Sequence, residues 1–414
     1  MIVFRAAQGF TGGALIPLAF QVILGLPSSK RTIGMALFSI TATFAPAIGP
    51  TIGGYLTSQF NWSVIFFMNV LPGTFMLFTV IYAIDKEKAD HDLLSKIDLP
   101  GILTMAIGLA SLTIFLEEGE RKDWFGSSLI VSLSIVAFIF LSAFLMIELS
   151  TKNPFINLRL LRQKNFGLGC AVNFVIGLAM YGALYLLPLY LSEIQGYDSV
   201  LIGKTMMWAG LPQLLVLPFV PKILKRFDPR WVAFVGINIF AMSCVMNSAL
   251  TVFVGIDQLK WSQIVRAIGQ PLLMVPLSTI TMGLVSRTQS GSASGLFNML
   301  RNLGGSVGIA GLSTLLTIRE HLHSQRIGES VTIYRHATLD RLNLYQQAFV
   351  SAGIDPASAQ QKAYAAVSAT VRQQATIMGF NDCFFIVGCA LFCASGLILF
   401  CSQVGAASGP SEAH

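Results

Sequence analysis

The sequence predicts an all-α, polytopic membrane protein with about eleven transmembrane helices. Three observations carry that prediction. Charged residues make up only 11% of the 414 residues and apolar ones 54%. Soluble domains carry roughly 25% charge, so there is too little here to cover a water-facing surface. The charges are also segregated: runs of about 20 residues with almost none alternate with short charged loops, and about 20 helical residues span a ~30 Å hydrocarbon core. Inside lipid every backbone polar group needs an internal partner, which leaves helices or closed barrels. The runs are too long and too uniformly apolar for the alternation of barrel strands. Mean hydropathy of +0.68 agrees.

In chain order the predicted spans are 3–27, 31–57, 62–84, 98–116, 126–148, 168–191, 201–221, 231–254, 261–285, 291–318 and 379–402. Their connections are unequal in charge. Alternate loops carry Lys30, Arg31, Lys86, Lys88, Lys96, Lys152, Arg159, Arg162, Lys164, Lys222, Lys225, Arg226, Arg230 and Arg287. The short loops between them carry only Arg121, Lys122 and Lys260. Fourteen against three places the first set in the cytoplasm. The net charge of +7 is thereby explained by membrane orientation and not by nucleic acid. That sidedness puts Met1 on the outer face with no helix before it, so either the N-terminus crosses unaided or, the reading preferred here, an odd number of further helices stands ahead of residue 1. A cleavable signal peptide is rejected, because no basic region precedes the first apolar run and Arg5 interrupts it.

All six cysteines (Cys170, Cys244, Cys383, Cys389, Cys393, Cys401) fall in apolar spans, which predicts no disulfide or metal framework. Residues 319–378 form the one long connection, on the outer face. There Asp355-Pro356 reads as an N-cap followed by a first-turn proline. Ala363, Val367, Val371 and Ala375 then make one apolar stripe. With a shorter helix from Asp340 to Val350, stopped near Gly353, this predicts a helical hairpin running into the last span. It is either a solvated cap on the protein's own outer surface or a docking surface for a partner protein.

The second span reads Ala45-Pro46-Ala47-Ile48-Gly49-Pro50-Thr51-Ile52-Gly53-Gly54. Small residues at three- and four-residue intervals let another helix approach to backbone contact, and Pro46 and Pro50 bend the helix. The Gly49-Pro50-x-x-Gly53-Gly54 pattern resembles the antiporter motif of the major facilitator superfamily, in its drug:proton antiporter branches, with Ala45 standing where that motif has glycine. Arg5-Ala6-Ala7-Gln8-Gly9 with Gly12 and Gly13 resembles the family's fourth-helix motif, with Thr11 in place of glycine. Trp62, Phe66, Asn69, Pro72 and Gly73 resemble a run of the fourteen-helix subgroup. Ser294-Gly295, Asn298, Arg301, Gly304, Gly305 and Gly308 resemble that subgroup's thirteenth helix. The hairpin followed by Asn381-Asp382-x-Phe384 resembles the EmrB-type exporters.

The resemblance implies a major-facilitator fold in which residue 1 aligns with the start of the family's fourth helix, so the first three helices are missing. Residues 1–84 become the remainder of an N-terminal bundle, 85–150 a two-helix insert, and 151–318 a C-terminal bundle. The hairpin at 319–378, the last span at 379–402 and a cytoplasmic tail at 403–414 complete the chain. The implied function is a secondary multidrug exporter of the inner membrane: proton-coupled antiport of hydrophobic or amphipathic compounds, often cationic, by alternating access. The alternative is a non-transporting fragment of such an exporter, from a wrong start or a decayed gene. The energy source would be the proton gradient, with no cofactor and no metal. The hairpin would meet a periplasmic adaptor protein of a tripartite pump.

Arg5 is the expected proton-coupling residue, against a role in tying helices together, and Gly49, Pro50, Gly53 and Gly54 form the antiporter seam. Gln8, Asn173, Tyr181, Tyr185, Gln213, Asn298 and Arg301 are candidates for the substrate pathway, adding polar groups to an apolar wall; the tyrosines could equally be interfacial anchors. An ionisable group inside a span is costly and so a functional candidate. The other such groups are expected to be bland. Arg266 and Lys204 snorkel to an interface, Glu148 and Glu193 are interfacial, and Asp382 is an outer-face cap rather than a proton site. His321 and His323 are exposed loop histidines. No nucleophile–base pair, metal cluster or phosphate loop suggests an enzyme.

Overall fold

The structure, a computed structural model, describes residues 2–13, 15, 18–19, 22–23, 27, 49, 51–83, 98–151, 154–286 and 289–403. Most of the predicted 31–57 span lies outside the described residues. So do Pro46, Pro50, Lys152, Arg287, the loop around Lys86 to Lys96 and the tail from residue 404.

Regular structure among the described residues is entirely helical. We number the helices α1 (Ile2–Gly13), α2 (51–59), α3 (Val70–Ala83), α4 (Leu99–Gly119), α5 (Ser128–Ser150), α6 (Lys164–Glu193), α7 (Ser199–Val216), α8 (Pro229–Met246), α9 (Ile256–Met282), α10 (Ser290–Ser330), α11 (His336–Ser351) and α12 (Pro356–Leu399). Eight stretches within this set are long and apolar enough to cross a membrane, from Val64–Ala83 to Pro356–Leu399. Helix α10 is long enough as well, but its Gly, Ser and Asn residues make it less apolar, for a reason that packing explains.

Starts and stops follow local chemistry. Asp98 caps α4 by accepting from the Gly101 N–H at 2.9 Å, and Asp198 does the same for α7 through Leu201 at 2.8 Å. Each satisfies an N–H that the first turn leaves without a helical partner. Helices α4 and α5 form an antiparallel hairpin. Its turn places Asp123 and Trp124 at positive φ and swings the Trp124 ring edge-on to Phe115, 5.3 Å between centroids. The predicted N-cap at Asp355 is present, accepting from the Ser358 N–H at 3.0 Å, with Pro356 in the first turn.

From that cap α12 runs unbroken for 44 residues, and α10 runs for 41. At 1.5 Å per residue each is about 60 Å long, roughly twice the hydrocarbon core. Both therefore project past the span, and α11 packs along the projecting part of α12.

The core is built where α6, α8, α9, α10 and α12 meet. Helices α6 and α10 interlock through glycines. A Cβ on Gly177 would strike the Arg301 carbonyl, one on Gly304 the Phe174 carbonyl, and one on Gly308 would come within 2.7 Å of the Leu178 carbonyl. Helices α8 and α9 meet in the same way at Gly236 and Gly269. Without side chains on these faces the backbones approach closely and gain dispersion contacts. The small residues that give this contact are also the ones that lower the hydropathy of α10.

Polar clasps tie the helix ends. Asn381 grips Leu250 at both backbone groups, accepting its N–H at 2.8 Å and donating to its carbonyl at 3.0 Å. At the opposite end Asn165 holds Ser402 in the same two-handed way, donating to its carbonyl at 2.9 Å and accepting its N–H at 2.7 Å.

Candidate transport site

The antiporter-motif helix is read best at its far end. Gly54 faces the Ser199 carbonyl so closely that a Cβ there would overlap it. Three residues earlier, the Thr51 hydroxyl donates to the Gly203 carbonyl at 3.0 Å. Helix α2 is thus seated on the first turns of α7, about 150 residues away in sequence. The added carbon would meet nothing within 4 Å at Gly49 or Gly53 among the described residues. The tight crossing predicted from the motif is carried by Gly54.

Arg5 and Gln8, one turn apart on α1, bond to each other at 2.7 Å. The Arg5 guanidinium also lies over the Phe66 ring, 4.2 Å from its centroid, and Phe66 meets Trp62 edge-on at 5.8 Å. These two motifs therefore join in one cluster. A guanidinium over an aromatic face gains electrostatic attraction.

A second group forms where α6 crosses α10. Asn173, fully buried, donates to the Phe297 carbonyl at 2.7 Å, and its Oδ1 has no partner. The Tyr181 hydroxyl donates to Asn302 at 3.3 Å while its ring covers Gly305. Arg301 stands between them on α10, its Nε buried without a partner. Tyr185, one turn beyond Tyr181, packs on the core. Asn298 turns back on its own helix, donating to the Ser294 carbonyl at 2.9 Å. Gln213 is half-buried on α7. Two open cavities, of about 260 and 370 Å³, lie elsewhere. The first is lined by Lys164, Phe166, Thr281 and Ser402, the second by Leu116, Trp124, Val307 and Ile318.

Four expectations are corrected. Arg266 does not snorkel: it is 4% exposed, with its guanidinium 5.6 Å from the Phe240 ring of α8 and its Nε unpartnered. Its helical phase points it at a neighbour rather than at the lipid. Glu148 is not interfacial; the linker after α5 folds back over it and leaves it 1% exposed. Asp382 caps no helix, because α12 is continuous through it. Instead its Oδ2 forms an ion pair with the Arg319 guanidinium at 3.0 Å and a hydrogen bond with His323 at 2.7 Å. His323 accordingly sits on a helix and is buried, whereas His321 is exposed. Beside this node Glu320 pairs with Arg372 at 3.2 Å, and Glu120 accepts from Thr317 at 2.7 Å. Lys204 and Glu193 are exposed. Among the described residues no three His, Cys, Asp or Glu side chains group as a metal site, and all six cysteines are free thiols.

The helices, their glycine seams and the order of the motifs converge with the family comparison: the Major Facilitator Superfamily model matches residues 1–309. The chain belongs to the major facilitator superfamily. This membership makes it a membrane transporter and not an enzyme. Among its major-facilitator relatives, the Colistin resistance protein EmrB of Acinetobacter baumannii is 31% identical over 402 residues, covering 97% of this chain and 78% of the relative. The Multidrug export protein EmrB of Escherichia coli K12 is 30% identical over 418 residues, covering 100% of this chain and 80% of the relative. The Fatty acid resistance protein FarB of Neisseria gonorrhoeae is 30% identical over 394 residues, covering 95% and 76%. The family and its multidrug relatives place this chain among drug-efflux transporters of the EmrB type.

Proposed function

We propose that the protein exports hydrophobic or amphipathic compounds across the inner membrane by proton-coupled antiport, with alternating access between two helix bundles and the C-terminus in the cytoplasm. The observation that carries this reading is the Gly54–Ser199 and Thr51–Gly203 seam. It is a backbone-to-backbone crossing between residues 1–84 and the bundle that begins near residue 151, with no side chain filling it at Gly54. Such a contact can rock while remaining sealed to small ions, and rocking of one bundle against another is how transporters of this family alternate access.

In this reading Arg5, charged and held over Phe66, is the coupling residue. The substrate path runs past Gln8, Asn173, Tyr181, Tyr185, Gln213, Asn298 and Arg301, of which Asn173, Tyr181 and Arg301 stand together at the α6–α10 crossing. The projecting α10–α11–α12 segment at 319–378 is the surface for a periplasmic adaptor protein. Two of its ion pairs, Arg319–Asp382 and Arg372–Glu320, brace α10 against α12 and give an adaptor a stiff post.

The test is transport in sealed vesicles with an imposed proton gradient, using the full-length protein and a hydrophobic fluorescent dye as substrate. Dye-linked proton flux is expected, and Arg5→Ala should abolish it while dye binding persists. Dye movement indifferent to the gradient would remove proton coupling from the proposal.

A further inference from the structure

We propose that Asp98 and Glu148 form a proton-binding site at the end of the α4–α5 hairpin, in which Glu148 carries the proton and donates it to Asp98. The two carboxyl groups come from opposite ends of the hairpin sequence and meet across Gly101. The position that a Cβ on Gly101 would occupy is 2.6 Å from Asp98 Oδ2 and 2.9 Å from Glu148 Oε1. The glycine is the gap in which they face each other.

Each group has something missing that a shared proton supplies. Asp98 Oδ1 is used as the cap of α4, but its Oδ2 is buried and has no hydrogen-bond partner. Glu148 is 1% exposed. Its two oxygens share the Ile156 N–H at 3.4 and 3.3 Å, a long divided bond, with the Phe155 backbone alongside. No ion pair reaches either carboxylate among the described residues. The linker's Arg159 donates instead to the Leu149 carbonyl at 3.0 Å, and α10 brings a neutral hydroxyl, Ser292, to the Asn157 N–H. The other described cation of the linker, Arg162, is exposed. Two like charges crowded against one glycine disfavour double ionisation. One proton between them removes the repulsion and turns it into a charge-assisted O–H···O⁻ bond.

The site has a place from which its state can be read. The Glu148 oxygens anchor Ile156, and the next residue is bonded to the start of α10. The proton therefore holds the linker between the hairpin and the following bundle. When it leaves, the carboxylates repel, Glu148 withdraws and the linker loses its first anchor. Loop charges place this end of the hairpin in the cytoplasm, so the inference amounts to a cytoplasmic pH sensor in the insert. It does not depend on the antiport reading, because neither measurement below involves transport.

The test is infrared difference spectroscopy of the full chain in lipid nanodiscs at neutral pH. The expected result is a protonated-carboxyl C=O band in the wild-type protein that is lost in Glu148→Gln and in Asp98→Asn. The side-chain amide introduced by Glu148→Gln can make the same donation to Asp98, so that variant should keep the wild-type melting temperature. In Glu148→Ala, with no donor, it should fall. A wild-type spectrum in which Glu148→Gln removes no carboxyl band overturns the proposal. A fall in melting temperature for Glu148→Gln equal to that for Glu148→Ala does so too, since it would mean that Glu148 acts as a charge.

Discussion

At Gly304 a hydrogen stands where any other residue would drive carbon into the Phe174 carbonyl. Backbone cannot yield as a side chain can, so Gly304→Ala is expected to lower stability by about 1–3 kcal/mol, the usual cost of overpacking. Gly311→Ala on the same helix, where nothing among the described residues lies within 4 Å, should leave the melting temperature in lipid unchanged or raised. The sequence shows that α10 is glycine-rich; it does not show which glycines are needed, because that depends on the rotation of α6 against α10. A second prediction concerns Asp228, whose carboxyl is held below the usual carboxylate range chiefly by its hydrogen bonds from Arg230. A depressed folded value means the stabilisation is present above the unfolded pKa and is lost as pH falls through the folded one. Arg230 also holds the Cys401 carbonyl at 3.0 Å. Acidification below about pH 4 should therefore loosen the end of α12. Trp231 fluorescence should report the change, and Asp228→Asn should already show the loosened signal at neutral pH.

Among the elements, α12 shows how local signals and distant contacts divide the work. Its N-terminal cap was legible from Asp355-Pro356, since capping involves only neighbouring residues. Asp355→Ala is expected to raise amide exchange at Ser358 and Ala359 while leaving the membrane-embedded half of the helix protected. The clasp at Asn381 was not legible, because its partner Leu250 lies 131 residues away. Asn381→Ala would strand both backbone groups of Leu250, at about 1–3 kcal/mol for each buried group left unsatisfied. Thermal unfolding in lipid should show the loss, with Asn381→Gln failing to restore it because the longer side chain overshoots. The same limit explains Glu148 and Asp382. Position near a span end suggests an interface, yet a linker folded over one and a projecting helix beside the other give each a protein partner.

For the whole molecule, the decisive contact joins residues far apart in the chain: α2 seats on α7 at Gly54 and Thr51. Gly54→Leu is expected to separate the helices, with expression retained and dye efflux from cells falling at least about tenfold, the effect of roughly 1.4 kcal/mol on the rocking equilibrium. Gly53→Ala, facing open space among the described residues, should transport normally. If Gly54→Leu exports as well as wild type, the seam is not where the halves move.

Hydropathy, loop charge and motif order determined the membrane class, the helical fold and the family, because the bilayer imposes its length and polarity on every segment separately. The tertiary structure decided which glycines bring backbones together, which of the intramembrane arginines is buried, and that Asp98 and Glu148 face one another. Those outcomes depend on how each helix is rotated about its axis and which neighbour it meets. Hydrophobicity along the chain is silent on both, since a span that is apolar on every side gives no sign of which face turns inward.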